Sequence, residues 1–103
     1  MILRDVLGEA ATAIADLATE PDPDGAVKWM REGYPFAVLS ADGTVAEFWL
    51  DPPVAAAASR TPDVSVSERG PGWVRFSPAV LDEHGVDRAV AWLASAHRRL
   101  AKG

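Results

Sequence analysis

The stretch Gly70-Pro71-Gly72-Trp73-Val74-Arg75-Phe76-Ser77-Pro78 decides how the rest of the chain is read. Trp73, Val74 and Phe76 favour a pleated backbone, Gly70 to Gly72 supply a turn in front of it, and Pro78 withholds the next backbone donor. The strand therefore has both ends marked. Val74 and Phe76 fall on one of its faces and the apolar Trp73 on the other, which places it inside a sheet rather than at an edge.

Working back from this strand, Val64, Ser65 and Val66 alternate as a partner joined to it through the Arg69-Gly70-Pro71-Gly72 turn. Further back, Tyr34 to Ser40 and Thr44 to Leu50 flank Ala41-Asp42-Gly43, and an Asp-Gly step between two such runs predicts a tight hairpin with a primed turn. Asp51-Pro52-Pro53 reads as a cap followed by proline in the first turn of a short Ala-rich helix that ends by Thr61-Pro62. Four strands follow, near 34–40, 44–50, 63–68 and 72–77.

Helices are predicted at both ends. Leu3, Leu7, Ala10, Ile14 and Leu17 recur at steps of three and four, which predicts a helix over 2–19, ended by Glu20-Pro21-Asp22-Pro23. A further turn or two of helix is read from Asp24 as cap through Ala26, Val27, Trp29 and Met30 to Gly33. Val86, Ala89, Val90, Leu93, Ala96 and Leu100 predict a closing helix over 86–101, with Arg98, Arg99 and Lys102 at the negative end of its dipole. The expected architecture is one α+β domain over 1–103, a four-stranded antiparallel sheet packed against N- and C-terminal helices. Its expected core contains Leu7, Ile14, Leu17, Val38, Phe48, Val74, Phe76, Val90 and Leu93.

Composition limits the function classes. The 103 residues, 49% of them hydrophobic, suit one modest core, and the absence of cysteine removes disulfides, thiolate chemistry and Cys-based zinc sites. The lack of cysteine suits a reducing cytoplasm, and Asp5, Glu9 and Asp16 interrupt any signal-peptide or membrane-spanning run at the start. Ala-rich, Arg-over-Lys usage resembles that of high-GC bacteria. The net charge of −5 disfavours DNA and anionic membranes as partners, although residues 1–59 carry −7 and residues 60–103 carry +2.

The order of helix, hairpin beginning Pro35-Phe36-Ala37-Val38-Leu39, Leu50-Asp51-Pro52 helix opening, Gly72-Trp73-Val74 strand and closing helix resembles the MmcQ/YjbR-like bacterial domains over about residues 34–101. The resemblance implies a frataxin-like (YjbR/CyaY-like) α+β fold and a DNA-associated role. A similar order, ending in a Gly-Trp-Val strand and a helix, also occurs in a small luciferase-named family. No catalytic residue carries over from either.

The residues themselves offer no legible catalytic constellation. His84 precedes the last helix and His97 lies near its end, where a cation is favoured for structural reasons. Asp82, Glu83, His84 and Asp87 are better explained by helix capping than by a metal, which would need more oxygen ligands at set positions or a tetrahedral nitrogen and sulfur set. Gly70-Pro71-Gly72 lacks the Lys and Ser or Thr of a phosphate loop. No cofactor is therefore implied.

The sharper feature is aromatic. Opposite Phe48 and Phe76, the second strand presents Glu47 and Trp49 while the fourth presents Trp73 and Arg75. If those strands are neighbours, one face carries two indoles, a carboxylate and a guanidinium, with Trp29 and Tyr34 expected at its border, a mixture common at recognition surfaces. The structural reading of the indoles is that one packs beneath a helix or that both cover the back of the sheet; the leading functional reading is a non-catalytic interaction module that self-associates through this face. The alternatives are a DNA-associated protein, which requires Arg60, Arg69, Arg75, Arg88, Arg98 and Arg99 to gather on one side, and an enzyme acting on an unidentified small molecule.

Overall fold

β6 (Trp73–Phe76) lies inside an antiparallel sheet, as expected, with β4 (Ala46–Trp49) on one side and β5 (Val64–Val66) on the other. The structure, a computed structural model, describes residues 2–101. Beyond β4 lie β3 (Tyr34–Leu39), β2 (Val27–Arg31) and β1 (Ala18–Pro21), giving the order β1-β2-β3-β4-β6-β5. The α+β class is as expected. The sheet, however, has six strands rather than four.

β1 takes the end of the predicted first helix and the start of the loop read after it, and β2 takes the segment read as a further turn or two of helix. The first helix, α1, spans only Leu3–Thr12: the Thr12 hydroxyl donates to the Glu9 carbonyl at 2.6 Å, and the last amides close on carbonyls three residues back. Asp16 then takes a left-handed conformation, and β1 begins two residues later. Ile14 and Leu17 still pack against the core, so the apolar spacing that mimicked a longer helix is satisfied through a turn. Asp24 caps no helix. Its carboxylate accepts from the Ala26 amide at 3.0 Å inside the β1–β2 turn, and Val27 and Trp29 enter a strand, which suits their shape better than helix.

The β3–β4 hairpin forms where expected but not with a primed turn. Gly43 donates to the Ser40 carbonyl at 2.9 Å, while among Ala41, Asp42 and Gly43 only Gly43 has positive φ, at 77°. A type I′ turn needs positive φ at both central residues, so this is a longer loop closed by glycine. Asp42 organises it, accepting from the Ser40 hydroxyl at 2.6 Å, the Thr44 amide at 3.0 Å and the Thr44 hydroxyl at 2.8 Å. These bonds favour the ionised carboxylate, and chiefly through Ser40 they lower its pKa from 3.8 to about 2.

β4 and β5 both run antiparallel to β6, so they are parallel to each other and need a crossover, which α2 (Pro52–Ala58) provides. The closing helix, α3 (Glu83–Ala101), starts where the Asp82 carboxylate accepts from the Gly85 amide at 2.7 Å. Lys102 lies outside the described residues. No helix among the described residues is long and apolar enough to cross a membrane.

All three helices contribute to one core. Leu3, Leu7 and Ala11 of α1, Ala58 of α2, and Ala89, Trp92, Leu93 and Ala96 of α3 join Phe36, Leu39, Phe48, Val74 and Phe76 of the sheet. Two expectations for this core change. Val90 is 38% exposed, and Trp92 takes its place, its ring 5.3 Å from Phe76 and 6.0 Å from Phe48. Val38 is buried but stands outside the cluster, paired with Glu47 and so on the sheet face opposite the helices. β3 carries one extra residue at Phe36, between the pairs Trp29–Ala37 and Met30–Pro35, and this bulge lets Phe36 and Ala37 both join the core.

Candidate functional site

The ladder brings the four singled-out residues together. Glu47 is the direct partner of Arg75, and Trp49 that of Trp73, all on the β4–β6 face turned away from Phe48 and Phe76. The face extends through Ser65 opposite Arg75 and through Val38 opposite Glu47, with Lys28 opposite Val38. Of the expected border residues, Tyr34 is exposed. Trp29 is not at the border: it is 3% exposed and belongs to the core on the helix side.

Three members of the patch, Glu47, Trp49 and Trp73, have partners that strand alternation alone does not reveal. Glu47 accepts from the Ser67 hydroxyl and, at 3.0 Å, from Arg69 Nε. Ser67 in turn accepts from the Arg69 amide at 3.1 Å, and its own amide donates to the Trp73 carbonyl at 3.2 Å. The 67–72 turn is thereby folded down on β4 and β6. From this position the Arg69 guanidinium lies 5.6 Å from the centre of the Trp73 ring.

Trp49 is engaged from the other layer. Arg99, near the end of α3, places its guanidinium 3.8 Å from the Trp49 ring centre, donates to the Leu50 carbonyl and pairs with Asp51 at 3.6 Å. Gly72 makes room for this contact: a side chain there would meet both Arg99 and the Leu50 carbonyl, and its φ of +83° is strained for other residues. The Gly-Pro-Gly turn is thus a close-approach site as well as a strand boundary. Arg69 and Arg99, each held over an indole, were visible in the sequence only as members of an arginine list; no spacing signal connects either to its tryptophan.

With Glu47 taken up by Ser67 and Arg69, the charge left on the patch is Arg75, which has no ion pair or side-chain hydrogen bond among the described residues. It lines an open depression of about 530 Å³ with Glu47, Ser65, Val66, Glu68 and Arg69. Glu68 is exposed and likewise has no ion pair among the described residues. The depression is shallow, polar and bipolar, a shape for docking a surface rather than enclosing a small molecule.

Elsewhere several ionisable groups have structural partners. His97 faces the Arg31 guanidinium at 3.4 Å through Nδ1 and the Asp16 carbonyl at 3.3 Å through Nε2, and packs edge-on against Phe36. With Arg31 only a donor, Nδ1 accepts and Nε2–H donates to Asp16. A recess of about 330 Å³ beside the start of α1 has Arg4 and Asp42 as its charged lining, and both are occupied by hairpin groups. Among the described residues no three of His, Asp and Glu converge to hold a metal. No protein-family model, curated protein or solved structure matches the chain.

Proposed function

We propose that this chain is a non-catalytic protein-interaction module of YjbR-like fold, docking through the sheet face around Trp73 and Arg75, with a second copy of itself as the simplest partner. The observation that carries the reading is a sheet face, turned away from the Phe48–Phe76 core and reached from the helices by Arg99, that presents cross-strand Trp49–Trp73 and Glu47–Arg75 pairs with the Arg75 guanidinium uncommitted. A two-fold contact uses one patch twice, so a patch with one uncommitted cation and one exposed carboxylate complements itself, Arg75 of one copy meeting Glu68 of the other. Trp73 supplies apolar area at its centre.

The DNA-associated role implied by the resemblance takes second place. Of the arginines that would have to gather, Arg69 is paired with Glu47 and Arg99 with Asp51, while Arg75 sits on the open face and Arg88 and Arg98 on the helix layer. A net charge of −5 leaves no compensating field.

Sedimentation over a concentration series tests the proposal. Arg75→Glu and Glu68→Arg are each expected to weaken self-association, and the double variant to restore it. A chain that stays monomeric at submillimolar concentration, or a double variant no better than either single one, overturns it.

A further inference from the structure

The two edges of the sheet are built differently. β1 carries Glu20 and ends in Pro21, which has no amide to offer, and such features blunt an edge against pairing. β5 is Val64-Ser65-Val66, with neither proline nor charge, and Val66 is 80% exposed.

The backbone of β5 also has unused pairing capacity. Ser67 donates to Trp73 at 3.2 Å and Ser77 donates to Asp63 at 2.9 Å, which fixes 63–77 and 67–73 as hydrogen-bonded pairs of the β5–β6 ladder. Such pairs recur at every second residue, so Ser65–Arg75 is one too, and the N–H and C=O groups of Val64 and Val66 point away from the sheet.

We infer that β5 is a pairing edge whose occupant is β5 of a second copy, running antiparallel about a two-fold axis at Ser65. The strand is a palindrome, and a two-fold antiparallel contact requires self-complementarity of this kind. Val64 then faces Val66 of the other copy and Val66 faces Val64, each pair exchanging both backbone hydrogen bonds, while Ser65 meets Ser65 across the axis as the closer, non-hydrogen-bonded pair. The exposed Val66 gains an apolar neighbour, and the two sheets become one sheet twice as wide. The two aromatic faces then lie side by side on one surface. This contact goes beyond the face-to-face docking proposed above: it shares Ser65 and Val66 with the depression lined by Arg75 but needs neither Trp73 nor Arg75.

Two measurements on the full chain test it. Val66→Lys places a charge on the edge at an exposed position, where the fold tolerates it, and is expected to weaken dimerisation about tenfold or more in sedimentation equilibrium. In the wild type, amide exchange at Val64 and Val66 is expected to slow as concentration rises from micromolar to submillimolar, while exposed amides of the β1 edge do not change. Concentration-independent exchange at Val64 and Val66 overturns the inference. So does a dimer that Val66→Lys leaves intact; if Trp73→Ala dissociates that dimer, the face contact stands without the edge contact. A dimer lost in Val66→Lys and retained in Trp73→Ala supports the edge and counts against the face.

Discussion

The Arg99 guanidinium lies 3.8 Å from the centre of the Trp49 ring while donating to the carbonyl of Leu50, the next residue in the chain. One side chain thereby ties the end of α3 to the end of β4. A half-buried cation over an indole contributes about 1–2 kcal/mol, and Lys reproduces neither the planar stacking nor the forked donors. Arg99→Ala is expected to lower stability by about that amount in urea unfolding, with Arg99→Lys recovering less than half of the loss.

Gly72 and Gly33 allow the strain and the clash to be separated. Both have strongly positive φ, +83° and +84°, but an added Cβ at Gly33 meets nothing within 4 Å, whereas at Gly72 it meets Arg99 and the Leu50 carbonyl. Gly33→Ala is expected to cost about 1–2 kcal/mol from backbone strain alone. Gly72→Ala is expected to cost more, and the excess should shrink in an Arg99→Ala background, where one of the two obstacles is gone. Equal losses at both glycines would show that Arg99 does not depend on the bare backbone.

Asp42 gives a pH dependence with a definite sign. Its carboxyl is held at about 2 in the fold against 3.8 ordinarily, by the Ser40 and Thr44 hydroxyls and the Thr44 amide. The lowered value means that its contribution is present in full above the unfolded pKa and is lost as pH falls through the folded one. Urea midpoints measured from pH 5 down to 2 should decline less steeply in Asp42→Asn than in the wild type across that window. Matching slopes would count against the Asp42 network.

The core assignment is checked by two neighbouring positions of α3. Trp92 packs on Phe48 and Phe76, so Trp92→Ala leaves a large cavity and is expected to cost about 3–5 kcal/mol. Val90 is 38% exposed, and Val90→Ala is expected to stay within about 1 kcal/mol, since Ala also has the higher helix propensity. Thermal or urea unfolding of the two variants reads the difference directly.

The legible parts of the sequence were those where a local rule and the tertiary outcome agreed. Trp73 to Phe76 as an interior strand, the Asp42-Gly43 hairpin and the proline-started helix at Pro52 all carry their signals within a few residues. The β1–β2 hairpin was hidden because Ile14 and Leu17 keep a helical spacing while reaching the core through a turn, and because Val27 and Trp29 can satisfy either period. Val90 and Leu93 complete a plausible stripe without Trp92, so helical spacing alone does not select it. Alternation puts Glu47 and Arg75 on one face, while their direct pairing follows from the β4–β6 register, which no local signal fixes. The Ser67–Glu47–Arg69 clasp and the Arg99 contact were not readable either, since they depend on where a turn and a helix end fall in space.

That clasp changes which residue of the open face should matter most for association. Trp49 has Arg99 over its ring, so Trp49→Ala removes an internal contact as well as surface and should register in stability first. Glu47→Ala leaves Ser67 and Arg69 without their shared acceptor and loosens the 67–72 turn, an effect internal to one copy. Trp73 is only half-covered, by the more distant Arg69, and stands beside the uncommitted Arg75. A central indole at a docking surface contributes about 2 kcal/mol or more, whereas a rim charge contributes under about 1. Trp73→Ala is therefore expected to weaken self-association by roughly thirtyfold with a modest change in unfolding midpoint, and Trp49→Ala to do the reverse. Sedimentation and urea unfolding on the same two proteins separate these outcomes. If Trp73→Ala leaves association untouched while lowering stability as much as Trp49→Ala, both indoles serve the fold and the open face is not where the chain docks.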